Sequence, residues 1–122
     1  MYELSVEQHF SAAHHLQAYP GNCARWHGHN WTVTVLIRVA TLDSLGMALD
    51  FRDVKEQLRQ VVARFDHTNL NELAEFADQN PTCEILARLI YRDLGAALDR
   101  DGAAVCRVTV AETPGTAASY FE

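Results

Sequence analysis

The feature that most limits the folds open to this chain is a pair of alternating stretches on either side of a polar loop. Trp31, Val33, Val35, Ile37 and Val39 alternate with Thr32, Thr34 and Arg38, while Tyr2, Leu4, Val6 and Phe10 alternate with Glu3, Ser5, Glu7 and His9. A period of two marks a strand with one buried and one solvated face. If residues 30–39 pair antiparallel with residues 2–10, the end of the first strand lies beside the start of the second. The loop between them then delivers its side chains to that same end.

Helical patterns follow. Asp50 can cap a helix whose apolar face is Phe51, Val54, Leu58, Val61 or Val62, and Phe65, ending near Arg64. Asn80-Pro81-Thr82 supplies a second start signal, for a helix running to about Leu98 with Leu86, Leu89, Ile90, Leu94 and Leu98 inward. A strand over residues 105–113 places Cys106, Val108, Val110 and Glu112 on one face, so a carboxylate falls on a face otherwise used for core. Pro114-Gly115 is a turn, and residues 117–121 form a short last strand. The order β-β-α-α-β-β predicts one α+β domain over residues 1–122, with a four-stranded antiparallel sheet and both helices on one face. A sheet this small has exposed edges, and pairing them between copies protects them, so a homo-oligomer is expected.

Charged residues make up 21% and hydrophobic residues 48% of the chain, which argues against disorder. The formal net charge of -6, with ten Lys and Arg and no basic run, gives no support for a nucleic-acid partner. No apolar run is long enough to span a bilayer and no basic leader precedes one, so a cytoplasmic protein without a membrane partner is expected. The three cysteines, Cys23, Cys83 and Cys106, lack the spacing of a disulfide framework and read as reduced thiols, the last two buried and unreactive.

The loop carries the chemistry. In Cys23-Ala24-Arg25-Trp26-His27-Gly28-His29 two imidazoles stand at i and i+2, on one side of an extended backbone, and Gly28 permits close approach. Catalytic zinc takes three protein ligands and keeps a fourth position open. The strand pairing makes His14 the candidate for the third. Cys23 is then either a reactive group beside the metal or a fourth ligand that closes a structural centre. Asp66-His67 reads as a helix-end cap or as a catalytic pair, and Glu112 as a strand-end ion-pair partner or a ligand-binding carboxylate. Glu84 reads as a first-turn helix carboxylate in preference to a pocket group, and His9 and His15 as structural, with substrate contact the alternative for His15.

Taken together, Phe10-Ser11-Ala12-Ala13-His14, the segment Cys23 to His29, Asp50-Phe51, Asp66-His67, Asn80-Pro81-Thr82-Cys83-Glu84 and Ala111-Glu112-Thr113 resemble the 6-pyruvoyl-tetrahydropterin synthase family over nearly the whole chain. The cysteine separated by three residues from His-Gly-His looks most like the bacterial 6-carboxy-5,6,7,8-tetrahydropterin synthases of queuosine biosynthesis. The resemblance implies the tunnelling fold, in which trimers close their sheets into a barrel and two trimers stack into a hexamer. It implies zinc held by His14, His27 and His29, Cys23 as general base activated by Asp66 and His67 of a neighbouring subunit, and Glu112 anchoring a pterin ring. The implied substrate is 7,8-dihydroneopterin triphosphate, cleaved to the carboxy product with release of acetaldehyde and triphosphate. Alternatives are the sister reaction that forms a pyruvoyl product, a three-histidine zinc hydratase or hydrolase, and a non-catalytic pterin-binding protein. Two positions depart from the pattern: His15 stands where arginine is frequent, and Phe65 where leucine is usual.

Overall fold

The computed structural model describes residues 1–21, 24–100 and 102–122. Cys23 lies outside the described residues. Strands β1 (Tyr2–His14) and β2 (His27–Val39) are followed by helix α1 (Phe51–Ala63), a two-residue strand β3 (Thr68–Asn69), two single 3-10 turns, helix α2 (Cys83–Leu98), and strands β4 (Ala103–Thr113) and β5 (Thr116–Tyr120). The architecture is α+β.

The sheet has five strands where four were expected, in the order β3-β1-β2-β4-β5. It is also mixed. β3 runs parallel to β1, with Ala12 opposite Thr68 and Ala13 opposite Asn69, while the other pairs are antiparallel. The additional strand arises where Asp66 and His67 dock on the backbone of Ser11, which draws the next two residues alongside β1. Its polar sequence carries no alternation, so period two could not reveal it.

β1 and β2 pair over their full length, from Tyr2 with Val39 to His14 with His27. Leu4, Val6, Phe10 and Ala12 of β1 and Trp31 to Val39 of β2 are buried at alternate positions, and α1 and α2 cover that face. Each helix begins on a side-chain cap that satisfies an otherwise free backbone donor. Asp50 Oδ1 accepts from the Arg52 N–H at 2.8 Å, and Thr82 Oγ1 from the Ile85 N–H at 3.3 Å. Val54, Leu58 and Val62 of α1 and Leu86, Ala87, Ile90 and Leu94 of α2 supply the inward stripes.

Two expected inward residues do not point into the core. Phe51 is 53% exposed, and the buried stripe of α1 begins one turn later at Val54. Cys106 falls at a β-bulge: Leu36 pairs with Arg107 and Ile37 with Val105, so Cys106 has no partner and Val105 takes the buried position. Beyond the bulge the alternation resumes through Val108 and Val110, and brings Glu112 onto the helix-covered face. No described helix is long and apolar enough to cross a membrane.

Candidate metal centre and adjoining cavity

The strand pairing sets out three successive rungs on the core face. Phe10 sits opposite Trp31, Ala12 opposite His29, and His14 opposite His27. The first rung is apolar packing, with the Phe10 and Trp31 rings stacked at 5.7 Å between centroids. Ala12 is small, so the next two rungs hold three imidazoles in one place. The ring centroids of His14, His27 and His29 lie 4.5, 4.8 and 5.2 Å apart, and their ligand nitrogens fall within 4.8 Å of one another.

The tautomers suit a metal. His14 Nδ1 is 2.8 Å from the Pro81 carbonyl oxygen and His27 Nδ1 is 2.7 Å from that of Arg25. A carbonyl can only accept, so each ring donates from Nδ1 and, when neutral, keeps its lone pair on Nε2. Nε2 of His14 and Nε2 of His29 are buried and find no hydrogen-bond partner among the described residues. Buried polar atoms normally find one, and two facing orphans argue for an absent ligand to both. Three imidazole nitrogens fit a metal that favours nitrogen donors, so the residues present could hold such an ion.

Protonation points the same way. Burial, joined by the neighbouring histidines and opposed by the Pro81 carbonyl and Glu112, holds His14 below the usual histidine range. Burial does the same for His29, against the pull of Glu112. Two rings kept neutral are two rings ready to ligate. The unfolded chain protonates these positions near pH 6.5, whereas the folded chain resists until lower pH. Stability is therefore complete above about pH 6.5 and falls as the pH drops towards the lowered folded values. The Tm of metal-free protein is expected to decline as the pH falls below about 6.5, and His29→Gln to flatten that decline; an unchanged slope would contradict the burial argument.

Glu112 stands beside the cluster. Its Oε2 is 3.4 Å from His14 Nε2 and 3.5 Å from His29 Nε2. It also lines a cavity of about 380 Å³ with His14, Tyr19, Thr82, Cys83 and Ala118. The Cys83 thiol is pushed up to about 11, chiefly by burial and then by the Glu112 charge. Cys83 is half-buried, as is Cys106, whose thiol donates to the Leu36 carbonyl. Glu84 is exposed in the first turn of α2.

Asp66 and His67 form a separate unit on the β3 edge. Asp66 Oδ1 accepts from the Ser11 N–H at 2.9 Å, and Oδ2 lies 2.9 Å from His67 Nδ1. The Ser11 N–H, more than His67, holds the Asp66 carboxyl below its usual range. His67 adopts φ of +56°, costly for a residue with a Cβ, and donates its own N–H to Ser11 O at 2.6 Å. Its side chain is 82% exposed. An open groove of about 900 Å³ runs between His67 and His29.

His15 packs its ring against Trp26 at 4.3 Å, while Phe65 is fully buried between Phe10 and Phe76. The residues that sequence reasoning missed are the supports: the carbonyls of Pro81 and Arg25, the backbone of Ser11, and the side chains of Asn71 and Asn80. Asn80-Pro81 reads in sequence only as a helix start. A backbone acceptor leaves no residue signature.

Comparison with known proteins supplies the lineage. Residues 3–122 match the family model for 6-pyruvoyl tetrahydropterin synthase. The 6-carboxy-5,6,7,8-tetrahydropterin synthase of Bacillus subtilis is 34% identical over 98% of this chain and 84% of its own length. That of Synechocystis is 35% identical over 99% of this chain and 94% of its own. The structure of Caenorhabditis elegans 6-pyruvoyl tetrahydropterin synthase superposes with a TM-score of 0.85 at 27% identity, covering 99% of this chain and 95% of that one. With the family model matched from residue 3 to the last residue and the same fold in a solved member, this chain belongs to the 6-pyruvoyl tetrahydropterin synthase family.

Proposed function

We propose that this protein is a zinc-dependent carbon-carbon lyase that converts 7,8-dihydroneopterin triphosphate and one water to 6-carboxy-5,6,7,8-tetrahydropterin, acetaldehyde and triphosphate. The observation that carries the reading is the cluster of His14, His27 and His29, with two orphaned inward nitrogens beside the Glu112 carboxylate and its cavity. The names of the Bacillus and Synechocystis relatives support the carboxy-forming reaction.

In this reading His14, His27 and His29 hold zinc, which when bound supplies Lewis-acid polarisation of the substrate's side-chain oxygens. Cys23, separated from His27 by three residues in sequence, takes a proton from the substrate side chain. His67, oriented by Asp66, favours the thiolate and relays its proton. Glu112 accepts two hydrogen bonds, from the amino group and a ring N–H of the pterin, in a bidentate contact that fixes the ring in the cavity.

The exposure of His67 supports its use by a neighbouring subunit. The proposed assembly is a homohexamer, a dimer of trimers in which the outer strands β3 and β5 join sheets into a barrel. A cytoplasmic location and a role in queuosine biosynthesis complete the proposal.

The runner-up is a carbon-oxygen lyase that eliminates triphosphate to give the pyruvoyl product, favoured by the name of the Caenorhabditis structure. The short gap between Cys23 and His27 favours the carboxy product. Mass spectrometry of zinc-loaded protein with the triphosphate substrate decides between them. Carboxytetrahydropterin with acetaldehyde is expected, a pyruvoyl product would move the protein to the sister activity, and bound but intact substrate would leave a pterin-binding protein.

A further inference from the structure

We propose that Asn80 is a positioning residue for the metal centre, acting through the Pro81 carbonyl on His14. The inference rests on the metal reading of the three histidines and adds a residue to it.

His14 is the most buried of the three, and its Nε2 can face a metal only if its Nδ1 keeps the proton. That proton is held by one acceptor, Pro81 O at 2.8 Å. The orientation of this carbonyl is fixed from both sides. On one side, Asn80 closes a two-point clip on Gln17: Asn80 Oδ1 accepts from the Gln17 N–H at 2.8 Å, and its Nδ2 donates to Gln17 O at 3.1 Å. On the other, the Thr82 N–H donates to Asn80 O at 2.9 Å across Pro81, and Thr82 caps α2. The proline ring fixes φ between these two anchors, so the carbonyl has little freedom left.

The clip also acts on the strand. Gln17 lies three residues beyond His14, and the amide of Asn80 stands in for a β-partner that the chain lacks after β1 ends. His14, Gln17, Asn80 and Pro81 thus form a closed circuit, with the imidazole and its acceptor both tied to the same amide. Asn71 makes the same clip on His15, with Oδ1 accepting from the His15 N–H at 2.9 Å and Nδ2 donating to His15 O at 3.0 Å, but it does not border Pro81. The two asparagines share a chemistry and differ in what they reach, which makes one a control for the other.

Loss of a group that orients a metal-bound histidine typically weakens the metal about 10- to 100-fold. Cobalt(II) is the probe, titrated into metal-free full-length protein against a competing chelator, with the ligand-field spectrum recorded. The His14 tautomer is read in parallel from its ring nitrogen shifts by NMR. Asn80→Ala is expected to weaken cobalt by about 10-fold or more and to mix the His14 tautomers, with Asn71→Ala staying within about 3-fold of wild type. Asn80→Asp keeps the acceptor for Gln17 N and loses the donor, so an intermediate loss is expected; it also serves should the alanine variant fail to fold. Wild-type affinity with an unchanged tautomer in either Asn80 variant overturns the proposal. So does an equal loss in Asn71→Ala, which would make both clips general supports of the fold. A wild-type protein that takes up no cobalt overturns the metal reading itself.

Discussion

Replacing Trp31 by alanine is expected to cost about 3–5 kcal/mol of folding stability, the usual range for emptying a large aromatic from a core, and to scatter the histidine cluster. Trp31 is fully buried on β2 and belongs to both the core and the site. On its core side it stacks on Phe10. On the other it meets the rings of His14 at 4.8 Å and His29 at 5.4 Å, nearly edge-on to each. Its Nε1–H donates to the Ala12 carbonyl at 3.1 Å, tying β2 to β1 at the rung next to His14. The indole is thus the floor on which two of the three imidazoles stand. Trp31→Phe keeps most of the ring volume and loses the hydrogen bond, so a smaller cost of about 0.5–1.5 kcal/mol is expected. Urea unfolding of the metal-free variants, at one protein concentration so that the proposed assembly weighs equally on each, gives the stability difference. Cobalt titration gives the effect on the site. A loss below about 1 kcal/mol for alanine would mean that the cavity collapses easily and that the helices, not this rung, hold the histidines together.

The same rung explains how much was legible in the sequence. Alternation located β1 and β2 because, Gln8 apart, their inner positions are large and apolar as far as Phe10 and from Trp31 onward. It faded where the inner positions become Ala12, His14, His27 and His29, so the expected strands stopped short of the residues that carry the site. Those residues were found by a different signal, imidazoles at i and i+2 opposite a third. Strand pairing then brings the three together without any reference to the helices. Glu112 was legible as a carboxylate on a buried face. The bulge at Cys106 was not, because a strand with one extra residue reads in sequence as an ordinary alternation. Nor was β3, whose pairing is directed by the docking of Asp66 on Ser11 and not by any pattern of its own. Supports that work through backbone carbonyls, such as Pro81 O and Arg25 O, have no residue type to betray them.

Cys23→Ala is expected to lower kcat by about 10²- to 10⁴-fold, the usual contribution of a general base, while pterin binding persists. The proposed chemistry asks a thiol to accept a proton near neutral pH, so the other thiols decide whether the loss can be made good. Cys83 lines the same cavity as His14 and Glu112, but burial and the Glu112 charge push its thiol up to about 11. At pH 7 it stays protonated, and a protonated thiol is no base. Cys106 is the unpaired residue at the bulge of β4, with its thiol donating to the Leu36 carbonyl. Neither stands ready to replace Cys23. Binding should survive because the proposed anchor of the pterin, Glu112, belongs to β4 and owes nothing to the loop. Single-turnover kinetics on the zinc-loaded variant, beside equilibrium binding of the substrate, separates the two effects. A variant with the wild-type rate would remove Cys23 from the chemistry and favour the reading as a three-histidine hydratase or hydrolase, which needs no thiol. Loss of binding equal to the loss of rate would make Cys23 part of the ligand cavity. A fall in rate with binding intact is the outcome that a base, and not a wall of the pocket, requires.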